Sequence, residues 1–171
     1  MKSMNLKKSL FAFALMAFVA FSASAQEKAS PARSAEGTAA GSKITINYSS
    51  PAVKGRTIWG DLVPLGQVWR AGADDATTFT TSKDITIQGQ KLPAGTYSFF
   101  IIPGETESTF IFNKVAKQWG AYTYDAKEDA LRVSVPSMQT STMEERLVYE
   151  VKPDGFEVRW EYGKAAAKIG S

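Results

Sequence analysis

The chain has 171 residues and contains neither histidine nor cysteine, which excludes an imidazole-based triad, a thiolate nucleophile, a disulfide, a haem or iron–sulfur ligand set and a typical zinc site. Its 20 basic residues exceed its 17 acidic ones, but Lys2, Lys7 and Lys8 precede the apolar run of an export signal, and without them the signs balance at 17 each. A neutral domain has no electrostatic footprint for nucleic acid and no general attraction to an anionic membrane surface, so neither is an expected partner.

Met1–Lys8 reads as a basic n-region and Leu10–Phe21 as an apolar run. At about 12 residues the run suits a signal h-region, whereas a membrane helix needs about 20. It closes on Ala23-Ser24-Ala25, the small-residue pattern that signal peptidase accepts, so residues 1–25 are expected to leave and Gln26 to become the first residue. No cysteine follows for lipid attachment, and no second run of spanning length appears. The expected location is the periplasm or the exterior, as a soluble protein with no integral membrane segment. The remaining 146 residues make one domain.

Residues 26–42, QEKASPARSAEGTAAGS, carry no bulky apolar side chain and read as a flexible leader. From Lys43 a period-two alternation begins, with Ile44, Ile46 and Tyr48 on one side and Lys43, Thr45 and Asn47 on the other, the mark of a half-buried strand. The pattern recurs at Asp84–Gln88, Leu131–Val135, Leu147–Val151 and Phe156–Tyr162. Gly95–Ile102 and Phe110–Phe112 are almost continuously apolar, as central strands covered on both faces would be. Pro153-Asp154-Gly155 predicts a tight hairpin turn between the last two alternating runs. Thr140–Glu145 offers a capping box for at most one helical turn. About nine short strands predict an all-β fold, an antiparallel β-sandwich or barrel-like double sheet over residues 43–171 with little or no helix.

Two stretches carry side chains suited to a site. In Tyr48–Thr77, Arg56 and Arg70 offer planar donor forks to a carboxylate, phosphate or sugar, Asp74 and Asp75 offer acceptors, and Trp59 or Trp69 offers a stacking platform. The competing reading is internal: arginines pin loops to their own sheet, and tryptophans fill cores. In Gln118–Asp125, Trp119, Tyr122 and Tyr124 place three aromatics within six residues. Tyr122 and Tyr124 share a face at strand spacing, either to stack on sugars or to pack across strands. Asp74 and Asp75 as neighbours on a strand point to opposite faces, so they do not form the carboxylate pair of a glycosidase by themselves. There is no EF-hand-like loop, and no metal or cofactor is expected.

The blocks Tyr48-Ser-Ser-Pro51, Gly55-Arg56, Leu62-Val63-Pro64, Trp69-Arg70-Ala71-Gly72-Ala73, Leu92–Tyr97, Asn113-Lys114, Trp119-Gly120-Ala121-Tyr122 and Leu131-Arg132-Val133 occur in this order over residues 43–162. Together they resemble the DUF2911 family of exported bacterial proteins of unknown function. The resemblance implies an exported β-sandwich-like domain and no assigned reaction. Asp74 and Asp75 stand where the family typically has Asn and Glu, and a tryptophan frequent near Ser108-Thr109 is missing. Three functions are open to such a chain. It would be a noncatalytic binding module for a small polar ligand or glycan, with Arg56, Trp69, Arg70, Asp74, Asp75, Trp119, Tyr122 and Tyr124 as the ligand-binding residues. Alternatively it would be a carboxylate-dependent hydrolase of a sugar or ester, or a structural protein assembled with an envelope partner.

Overall fold

The computed structural model describes residues 29–171, and the export signal expected over residues 1–25 lies outside them. Strands β1 (Ala32–Ala39), β2 (Ser42–Ser49), β3 (Thr77–Thr81), β4 (Ile85–Ile87), β5 (Gln90–Leu92), β6 (Gly95–Ile102), β7 (Glu107–Asn113), β8 (Asp129–Lys152) and β9 (Gly155–Gly170) make one sheet in the order β1-β2-β3-β6-β7-β8-β9-β4-β5. All pairings are antiparallel, the sheet is not closed into a barrel, and the helical content of the described residues is one 3-10 turn at Ala126–Glu128. None of their helices is long and apolar enough to cross a membrane.

The all-β class therefore follows the periodicity, but the two layers belong to a single sheet that folds over. The fold line is in the long β8–β9 hairpin. Its turn is Pro153-Asp154, where Lys152 pairs with Gly155, as the Pro-Asp-Gly sequence predicts. The ladder then breaks between Gln139 and Glu144 and again before Val148, while Glu161 takes a left-handed φ of +54°. Beyond the break the hairpin tip bends back across the sheet, so that Ile169 N–H donates to the Asp154 carbonyl at 2.9 Å and the Tyr149 and Phe156 rings face Phe99. The separate runs Leu131–Val135 and Leu147–Val151 are thus one strand, and Thr140–Glu145 forms no helical turn.

β6 and β7 lie in the middle and are covered on both sides. Phe79, Phe99, Phe110, Phe112 and Phe156 are buried, with paired ring centroids 5.0 to 6.4 Å apart. Phe100 and Ile111 point the other way, against Ala76, Val68 and Tyr124. Burying a ring of this size contributes about 1.5–3 kcal/mol, so this aromatic block carries much of the stability of a chain that can form no disulfide.

The leader expectation fails at β1. Residues 32–39 form eight register pairs with β2, because a ladder partner satisfies the backbone and a chain of small residues can slip under the hairpin tip. Gly37 shows the fit: a Cβ there would lie 2.8 Å from Val151 Cγ1. Composition reports what side chains can bury, and here the backbone ladder orders the segment.

Phe156–Tyr162 also departs from its pattern, since Glu157 on the supposed solvated face is 4% exposed. Lys152 Nζ and Lys164 Nζ approach Glu157 Oε2 at 2.8 and 2.9 Å, and Arg159 donates to Oε1. Burial pushes the carboxyl up, but the hydrogen bonds and charges of the two lysines outweigh it and hold the pKa at about 2. With the folded value below the ordinary 4.5, the stabilisation is complete above pH 4.5 and is lost as pH falls toward 2. Glu157→Gln is expected to melt below wild type at pH 7, with a gap that closes between pH 4.5 and 2. Melting curves across that range check it, and a gap independent of pH would assign the acid transition to another group.

Candidate functional site

Between β2 and β3 the chain runs through a long irregular loop that is pinned at many points. Trp69 exchanges two backbone hydrogen bonds with Ile101 of β6, at 2.8 and 2.9 Å, and Ala73 N–H donates to the Ser49 carbonyl at 3.3 Å. The Ala71 carbonyl accepts from Tyr149 Oη at 2.7 Å and Thr77 Oγ1 at 2.9 Å. Burial pushes the Tyr149 hydroxyl well above its usual pKa of 10, which keeps it a donor. These contacts hold Ala71 and Asp74 in left-handed conformations, φ +55° and +57°, and Lys54, whose N–H donates to Glu145 Oε1 at 2.9 Å, has a φ of +48°. Such positions cost about 1–3 kcal/mol each for non-glycine residues and persist only where surrounding contacts over-determine them.

Two of these strained residues, Lys54 and Asp74, line a cleft of about 420 Å³. Lys54, Arg56 and Arg70 line it with a single acid, Asp74. Its apolar part is Trp69 and Trp160, whose rings stack at 5.9 Å with an interplanar angle of 16°, beside Leu62 and Val63. Arg56 donates from Nε to the Val53 carbonyl (3.1 Å) and from Nη2 to the Ala52 carbonyl (2.5 Å), so it partly braces its own turn. Arg70 is different: its Nε is buried and has no hydrogen-bond partner among the described residues. A buried donor left unpaired costs about 1–3 kcal/mol, more when charged.

The two stretches singled out in the sequence do meet. Asp75 bridges to Trp119, Gly120 N–H donates to the Asp74 carbonyl at 3.1 Å, and Ala76 N–H donates to the Gln118 carbonyl at 3.0 Å. At Gly120, φ +61°, a Cβ would lie 2.9 Å from the Tyr122 ring and 3.9 Å from Arg70 Cδ. Tyr122 therefore stands beside Arg70, and it and Trp119 are 83% and 61% exposed. Buried Gln118 ties this loop down, donating to Ser98 Oγ, Asn113 Oδ1 and the Val115 carbonyl.

Four of the eight sequence candidates line the cleft: Arg56, Trp69, Arg70 and Asp74. Trp69 does so as a core residue, 8% exposed, rather than as a projecting platform. Asp75 belongs to a neighbouring surface depression beside Arg33 and Lys117. Tyr122 and Tyr124 are in a loop and not on a strand face. Tyr124 packs its ring on Phe100 at 5.0 Å and donates from Oη to Asp129 Oδ2 at 2.6 Å, with burial foremost and that contact next raising its pKa to about 12. It is a brace, and it leaves the candidate set. Lys54 and Trp160 were missed. Lys54 adjoins Arg56 across Gly55 and was legible as a second cation of the same turn, whereas Trp160 reads along β9 only as an inward residue.

A family model described as a protein of unknown function, DUF2911, matches residues 30–169. The chain belongs to the DUF2911 family. The match reaches from just before β1 to the end of β9, so in this DUF2911 protein the small-residue strand is part of the family domain. No curated protein and no solved structure matches it. Membership in DUF2911 carries no reaction to the cleft, whose chemistry rests on its own residues.

Proposed function

We propose that this DUF2911 protein is an exported, noncatalytic binding module that holds a small anion-bearing polar molecule in the cleft, a carboxylate, a phosphate or an acidic sugar. The observation that carries this reading is the charge of the cleft, which Lys54, Arg56 and Arg70 line against the single acid Asp74. An anionic oxygen would accept charge-assisted hydrogen bonds from these cationic side chains. Leu62 and Val63, backed by Trp69 and Trp160, give the ligand body an apolar side. A two-carboxylate glycosidase mechanism requires a second carboxyl across the bond, and Asp74 is alone in this lining among the described residues. The basic start, apolar run and Ala23-Ser24-Ala25 of residues 1–25 support export to the periplasm or the exterior; an N-terminus of Gln26 on the exported chain tests that part.

The binding test is a thermal-shift and calorimetric comparison of inorganic phosphate, citrate and glucuronate with neutral glucose. A fitting anion at 100 times its Kd adds about 2.7 kcal/mol, roughly 5–10 °C at this chain length. Arg70→Gln is expected to weaken that anion about tenfold or more. The same variant is expected to melt within about 3 °C of wild type, because Arg70 makes no side-chain hydrogen bond among the described residues. Equal response to glucose, or no response to any anion, would overturn the reading, and a large loss of stability in Arg70→Gln would make the arginine scaffold.

A further inference from the structure

We infer a second ligand site, independent of the first, for a small neutral molecule with an apolar body and one hydrogen-bonding oxygen. It is a cavity of about 440 Å³ that shares Trp160 with the cationic cleft and lies at the break in the β8–β9 ladder. Gln139 and Gly163, the pair that flanks the break, are both in the cavity lining. Thr140–Met143 of β8 stand opposite Tyr162 alone, between the pairs Gln139–Gly163 and Glu144–Glu161. The surplus chain bulges outward, with Ser141, Thr142 and Met143 exposed and Thr140 Oγ1 bonded to the Thr142 carbonyl at 2.8 Å, and none of these four residues is in the cavity lining. At one end Trp59 lies against bare Gly163, where a Cβ would be 2.6 Å from the indole nitrogen.

The lining decides the ligand class. Trp59, Trp160, Leu65 and Met138 give an apolar body its contacts, and Leu65 and Met138 are 39% and 40% exposed at the mouth. An unbranched thioether adapts to varied ligand shapes. An anionic head is disfavoured, because Lys164 in the lining is already held by Glu157 at 2.9 Å and the other charged residue there is Glu105. A single oxygen has partners: the Ser108 and Ser137 hydroxyls, bonded to each other at 2.7 Å, can each turn to a ligand. This lining is the reverse of the first cleft's, where three cations require an anion, so the two sites are expected to take different molecules.

The test uses 8-bromo-1-octanol, whose bromine quenches indoles on contact, against the Trp119→Phe protein so that the exposed indole does not report. Saturable quenching, displaced by 1-octanol and unaffected by phosphate or by Arg70→Gln, is the expected result. Met138→Asp puts a carboxylate at the mouth and is expected to weaken the probe about tenfold, with Leu65→Asp as a second mouth variant should the first melt early. Quenching that rises linearly with probe, or that is equal in a folded mouth variant, would overturn the site.

Discussion

Gly155→Val is expected to destabilise the protein by about 3 kcal/mol or more, a loss typical of severe overpacking, read from chemical denaturation at neutral pH. Gly155 opens β9 immediately after the hairpin turn, and the position of its Cβ is 2.2 Å from the Ala167 carbonyl oxygen and 3.2 Å from its carbon. Both obstacles are backbone, so no rotamer change relieves them. Nor can the tip move aside cheaply. The Asp154 carbonyl holds Ile169 N–H at 2.9 Å, and Ala40 N–H holds the Pro153 carbonyl at 3.2 Å, so withdrawing the tip breaks its links to β9 and to the β1–β2 turn. The same withdrawal would lift Phe156 from the phenylalanine block. Asp154→Ala, one residue away with an exposed side chain, is the control and is expected to change stability by about 0.5 kcal/mol or less. Equal behaviour of the two variants would mean that the tip does not lie against the end of β9.

That close approach also marks the limit of reading this chain in one dimension. Period-two alternation is a statement about two faces, and it located β2, the continuous centre of β6 and β7 and the turn at Pro153-Asp154, because each depends on neighbours a few residues away. It could not show that one sheet bends over itself, since the bend is a mismatch of pairing between Gln139–Glu144 and Gly163–Glu161 and leaves no hydrophobic signature. β1 was hidden for the opposite reason: its residues bury little, and what orders them is a ladder to β2 that any sequence of small residues could join. Glu157 was hidden because its neutralising lysines arrive from both sides of the hairpin. Of the site, the residue types were legible and the geometry was not. Arg56, Arg70 and Asp74 announced a polar cleft, and the isolated Asp75–Trp119 bridge that brings in the second loop has no periodicity to betray it.

Trp160 is where fold and cleft meet, and two substitutions there should separate its roles. Its ring stacks on Trp69 at 5.9 Å and meets Trp59 edge-on at 6.1 Å, while its backbone carbonyl accepts from Trp59 Nε1 at 3.3 Å. Trp160→Ala leaves the carbonyl but empties the centre of this trio, at a cost of about 3–5 kcal/mol. For a domain of this size that lowers Tm by roughly 10–20 °C. It also removes a wall common to both cavities, so phosphate-class anions and 8-bromo-1-octanol are both expected to lose saturable binding at temperatures where the variant is still folded. Trp160→Phe keeps an aromatic ring in the trio and deletes an N–H that has no partner among the described residues. Relief of that unpaired donor, about 1–3 kcal/mol, offsets much of the lost ring volume, so its stability is expected within about 1 kcal/mol of wild type with both ligands retained. A Phe variant as unstable as the Ala variant would mean that the indole nitrogen is bonded after all, and a Phe variant that keeps its stability but loses only the octanol probe would place that N–H in the apolar cavity, as the donor its ligand uses.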